Sequence, residues 1–176
     1  MTEEHLEYGC LFCMSGTERI LRDLIAAKLP AVSATPAMYE RYRTYRGKKR
    51  SEQAVFMPGY VFFAADSGVN LDLIHSFPQE RGFRALGTDE GDWRLRNRDR
   101  EFARWLFSYG GLLRFSKAYE EDNWVHFLEG PLLDLEKQVI RVDRRGRAAQ
   151  IKVSFQGREF VTWLGFEIVE KPENLI

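Results

Sequence analysis

The hydrophobic pattern of this chain changes period once, at Gly110-Gly111, and that change limits the fold to two unlike modules. Before the glycine pair, strand-like runs alternate with helical stripes. After it, only strand-like runs remain. Tyr8–Met14 is apolar on both alternate sets, as a strand covered on two faces requires. Ser15 with Glu18 reads as a capping box. A helix is expected from there to about Leu29, ahead of Pro30, with Ile20, Leu21, Leu24, Ile25 and Leu29 on its apolar stripe. Residues 34–46 and 53–65 read as the two arms of a hairpin with a long cationic tip. Residues 70–76 suggest a short helix and 82–87 a short strand. Asn97 is expected to cap a helix through Tyr109, with Phe102, Trp105, Leu106 and Tyr109 at i, i+3, i+4 and i+7. Beyond Gly111, strands are expected at 124–128, 139–143, 148–155, 159–164 and 166–170. So many short strands in so little chain suggest a small closed barrel.

The 176 residues suffice for one ordinary domain or two small ones. Lys+Arg and Asp+Glu both number 26, so net charge favours no partner, but charge is segregated along the chain. Residues 40–50 hold six basic side chains and one acidic, and residues 141–152 hold five and one. Residues 117–136 hold one basic and six acidic. Two cysteines give no disulfide framework. Cys10 and Cys13 match Cys-x-x-Cys, but i and i+3 on a strand face opposite ways, and no second pair completes a zinc site, so buried thiols are expected. The polar, acidic start lacks the features of a signal peptide, and no apolar run approaches a bilayer span; the expected compartment is the cytoplasm. No nucleophile elbow or phosphate-cradling loop occurs, no cofactor is implied, and no enzymatic constellation is present.

Three motifs stand in order along the chain: Phe12-Cys13-Met14-Ser15-Gly16-Thr17-Glu18, then Met57-Pro58-Gly59-Tyr60-Val61, then Gly130-Pro131-Leu132 leading into a strand. They resemble the first strand-to-helix junction, the Phe-Pro-Gly-Tyr-Val signature and the KOW motif of the NusG family of transcription elongation factors. Phe115-Ser116-Lys117-Ala118, the acidic Glu120-Glu121-Asp122 and Glu129-Gly130-Pro131-Leu132 are similar to the junction of the operon-specific LoaP and RfaH paralogues. Asp134 and Lys137 stand where the usual KOW loop carries glycines.

The resemblance implies an α+β fold. An NGN-type antiparallel sheet with flanking helices (residues 1–111) would be joined by a short linker (112–122) to a five-stranded, SH3-like KOW barrel (123–176). It implies a monomeric, non-enzymatic factor that binds the clamp helices of RNA polymerase and promotes processive antitermination. Its other partners would be a nascent RNA hairpin or non-template DNA, with no membrane. Phe12, Met57, Tyr60, Phe62 and Leu86 match the family's polymerase-binding hollow, and the same five residues would equally suit an ordinary core. Arg46, Lys48, Lys49 and Arg50 at the hairpin tip could contact phosphates or stay solvated. Arg19, Arg22 and Lys28 match a position that touches displaced single-stranded DNA, or form a polar helix face. Arg141, Arg144, Arg145, Arg147 and Lys152 could grip structured RNA or lace a barrel rim. Alternating β-branched and aromatic residues at 139–163 argue for a stable barrel rather than a helical alternative. A general nucleic-acid or ribosome-binding module is the other reading.

Overall fold

A computed structural model describes residues 5–70, 74, 83–86 and 92–172, with the side chains of Arg84–Leu86 outside that set. The expected helix at 70–76 falls largely outside it; Ile74 is described, helical and buried. The protein is a mixed α+β chain in two compact units, residues 1–37 with 57–111, and residues 38–56 with 112–176.

The first unit is built on an antiparallel sheet of β1 (Leu6–Phe12), β2 (Ser33–Pro36), β5 (Tyr60–Asp66) and β6 (Arg84–Leu86) in the order β2-β5-β1-β6. As the two apolar alternate sets require, β1 is internal. One face of the sheet meets helix α1 (Glu18–Lys28) in a core of Leu11, Leu21, Ile25, Val61, Phe63 and Ala65. The other face meets α2 (Asn97–Ser108) through Tyr8–Phe107 and Phe62–Phe102 ring contacts. Gly9 lies opposite Phe63, whose ring occupies the space a Cβ at Gly9 would need.

Two local expectations are corrected in α1. Its buried residues are Glu18, Leu21 and Ile25, whereas Ile20 is exposed. Nor does a capping box form. The Glu18 carboxylate accepts from Gly16 N at 2.9 Å and, by its other oxygen, from Gly59 N at 2.7 Å. A carboxylate buried at 3% exposure therefore ties the first strand-to-helix corner to the Pro58-Gly59 turn. Cys13 N donates to Gly59 O in the same knot at 2.7 Å. Cys10 and Cys13 are free, buried thiols, and burial raises the pKa of each.

The long hairpin expected between 34 and 65 is divided. β2 and β5 pair with each other, while β3 (Met38–Tyr45) and β4 (Lys48–Val55) form a separate hairpin. Its turn is Arg46-Gly47, with φ +49° and +73°. Two residues with positive φ match the twist of the flanking strands, so the turn is tight and Lys48, Lys49 and Arg50 lie in β4 itself.

In the second unit, five strands form a curled sheet in the order β10-β11-β12-β8-β9. These are β8 (Ser116–Glu121), β9 (Trp124–Glu129), β10 (Val139–Asp143), β11 (Ala148–Phe155) and β12 (Arg158–Ile168). Neighbours are antiparallel except β8 and β12, which run parallel. The expected strands at 159–164 and 166–170 are one continuous β12, and the fifth strand comes from residues expected to link the modules. Ser116, Ala118 and Tyr119 are buried there, which gives that segment a place in the sheet. β9 and β10 are the sheet's edges rather than a closed seam; between them run α3 (Pro131–Asp134) and a 3-10 turn at Glu136–Gln138. The buried Ser116 hydroxyl accepts from Leu132 N at 2.9 Å and anchors α3.

The β3–β4 hairpin belongs to this unit, where β3 pairs in parallel with the short β7 (Leu112–Leu113). Tyr42 stacks on Phe115 at 4.4 Å, and Phe115 lies against Gly165, where a Cβ would sit 2.2 Å from its ring. Gly165→Ala is therefore expected to displace Phe115 and lower stability by about 1–3 kcal/mol, measured by urea unfolding. An unchanged midpoint would show that the ring is free to move aside.

Candidate nucleic-acid interface

Cross-strand register sorts the hairpin's charges by face. Arg41↔Glu52, Arg43↔Arg50 and Tyr45↔Lys48 are opposite pairs, and period-two alternation places all six side chains on one side. That side carries four cations against a single carboxylate. Glu52 binds Arg41 at 2.6 Å and Arg43 at 3.5 Å, and its carboxyl is held below the usual range, first by the Arg41 hydrogen bond. Arg43 and Arg50 remain directly opposed like charges, an arrangement that costs stability in a sheet. Tyr45 is 59% exposed beside them.

The four residues expected to act together at the tip are thereby separated. Lys48 and Arg50 share the cationic side. Lys49 stands on the other, 4.1 Å over the Tyr42 ring, and Arg46 lies in the turn over Tyr45 at 5.3 Å. Tyr45 and Arg43 were absent from the expected set; aromatic residues interleaved with the basic run were the signal that could have found them.

The cluster on β10 and β11 is dispersed. Arg144 donates to the backbone and side-chain oxygens of Asn123 at 3.2 and 3.1 Å, and Lys152 pairs with Glu159 at 2.8 Å. Arg141 lies opposite Gln150, and Arg145 is exposed in the turn. Asp143 accepts from Gly146 N at 2.9 Å and fixes that turn. Arg147, just beyond it, lines a pocket with Arg41. On α1, Arg19 is exposed, Arg22 binds its neighbour Asp23 at 2.7 Å, and Lys28 occupies the last turn, where the helix dipole favours a cation.

The expected apolar hollow is not open. Met57, Tyr60 and Phe62 are 0%, 4% and 0% exposed, and Phe12 is half-buried against Tyr60 with ring centroids 5.3 Å apart. The cause is that β5 is buried along both alternate sets, so its rings are core on either side. Leu86 lies in β6, and its side chain is outside the described set. Among the described residues of the first unit, the large apolar side chains that do face solvent are Met14 at 73% and Ile20 at 54%, both at the β1–α1 corner.

No family model matches the sequence, and no curated protein matches it. No described helix is long and apolar enough to cross a membrane.

Proposed function

We propose that this protein is a non-enzymatic transcription elongation factor that binds RNA polymerase and holds nucleic acid on the cationic side of its β3–β4 hairpin, favouring antitermination at particular operons. The observation that carries the nucleic-acid half is the Arg43–Arg50 opposition beside Lys48 and exposed Tyr45. A fold keeps a like-charge pair at some cost, and an anionic partner turns that cost into affinity. Phosphates would neutralise the cations while the tyrosine offers a surface on which a base can stack. No chemistry is required: a ligand that prefers one polymerase conformation shifts that equilibrium by its differential affinity.

The polymerase half rests on the resemblance of the three motifs. With Met57, Tyr60 and Phe62 covered, contact falls to the exposed β1–α1 corner. The double substitution Met14→Glu, Ile20→Glu is expected to lower co-purification with nuclease-treated core polymerase at least tenfold while leaving the thermal transition unchanged, since both side chains already face water. Full retention of polymerase would remove this corner from the reading.

The covered β5 rings favour a second reading, a nucleic-acid or ribosome-binding module that never touches polymerase. It predicts retention on immobilised RNA with no polymerase recovered after nuclease treatment.

A further inference from the structure

Between the β3–β4 hairpin and the outer side of β11–β12 lies a pocket of about 270 Å³, lined by Tyr39, Arg41, Tyr42, Arg147 and Trp163 among others. We propose that this pocket holds one unstacked base of single-stranded nucleic acid, a reading that rests on the hairpin's nucleic-acid role proposed above.

The pocket has the size for it. Its volume lies just under the roughly 300–1,000 Å³ that houses drug-sized ligands, which suits one ring system rather than a larger molecule. The lining chemistry is complementary to a base. Tyr39 and Trp163 contribute aromatic surface to the lining, and Arg147 supplies donors and positive charge, whereas Arg41 is already paired with Glu52 and Tyr39. The Arg147 guanidinium makes no hydrogen bond or ion pair with the described residues, although its charge is felt at the Tyr42 hydroxyl. A group poised in this way can take a phosphate or a base edge without first breaking an internal bond.

Both walls are also pre-organised. Arg147 is held in the left-handed region at φ +54°, and its carbonyl accepts from Phe166 N at 2.9 Å. On the facing wall, Arg41 is fixed by Glu52, and Tyr42 is clamped between Lys49 and Phe115. Finally, the pocket adjoins the cationic side of the hairpin. Arg41 lines the pocket and shares that side with Arg43, Arg50 and Lys48, while Tyr42 reaches the pocket from the opposite side, so a backbone tracked along those cations passes beside it. A base paired in a duplex cannot enter a recess between two walls, so the strand must be single.

The test uses the full chain and fluorescein-labelled 12-nucleotide strands at low salt: oligoadenosine and oligouridine, as RNA and as DNA, and an abasic sugar–phosphate strand of equal length. Strands with bases are expected to bind at least fivefold tighter than the abasic strand, because stacking of one base is worth about that or more. Arg147→Gln, on an exposed side chain, is expected to remove most of that preference. Trp163→Leu is expected to abolish it, and Trp163→Phe to keep part of it. Should Trp163→Leu unfold, the Phe and Gln variants decide the matter. Equal affinity for abasic and base-bearing strands, or an undiminished preference in Arg147→Gln and Trp163→Phe, overturns the pocket proposal and leaves the hairpin reading standing. Failure of every strand to bind overturns both. A ribose preference abolished by the same variants would assign the strand to RNA, and indifference to the sugar would admit DNA; either result supports a base in the pocket.

Discussion

Replacing Glu18 by alanine is expected to destabilise the protein by about 2–4 kcal/mol, a drop of roughly 5–15 °C in the thermal midpoint of the 176-residue chain. The carboxylate is buried, and it satisfies two backbone N–H groups from distant parts of the chain. Gly59 N is the costlier of the two to orphan, because Gly59 is buried whereas Gly16 is exposed to water. Glutamine keeps one acceptor oxygen and should recover part of the loss. Gly59→Ala attacks the same knot from its other end. Its φ of +87° is strained for any L side chain, and a Cβ would lie 2.8 Å from the Phe12 ring and 2.9 Å from Cys13 O. Thermal unfolding followed by circular dichroism checks both. A Glu18→Ala midpoint within 2 °C of the parent (an effect of roughly 1 kcal/mol or less) would mean that water replaces the carboxylate and that the knot holds nothing together.

Reversing Lys48 and Arg50 together to glutamate is expected to weaken binding of single-stranded oligonucleotides on the order of 100-fold at low salt. The salt dependence should flatten by roughly 0.7 in log–log slope for each phosphate that is no longer neutralised. Both side chains are exposed, and the Arg43–Arg50 repulsion is relieved, so folding stability should hold or rise slightly. Lys49→Glu is the informative control. It changes the charge as much as Lys48→Glu does but on the opposite side of the hairpin, where Lys49 sits over Tyr42. A face-specific interaction makes Lys48→Glu the more damaging single change. Equal losses would indicate a diffuse attraction to net charge, and no loss from the double reversal would exclude the hairpin from nucleic-acid binding.

Periodicity was enough to place α1 and α2 and the strands at 124–129, 139–143 and 148–155, because each carries its pattern within one short window. It misplaced what depends on partners distant in sequence. Ile20 fits the apolar stripe of α1, yet the helix turns Glu18 inward, because Gly59 N needs an acceptor there. Gly165 looked like a break between strands. It is instead a site of close approach inside β12, where the missing Cβ admits Phe115. The basic residues were visible as a run, but only cross-strand register showed that Lys48 and Arg50 share a side while Lys49 does not.

By itself the sequence determined the mixed α+β character, the loss of helical periodicity at Gly110-Gly111 and the clustering of positive charge, since all three follow from local composition and spacing. Tertiary structure alone decided that Met57, Tyr60 and Phe62 are covered, that residues 38–56 group with the second unit, and that Tyr39, Arg41, Arg147 and Trp163 surround one pocket. The physical reason is that aromatic strands read alike whether they are core or contact surface. Burial is set by which other segment lies against them, and charge acquires a direction only when pairing fixes the face on which it stands.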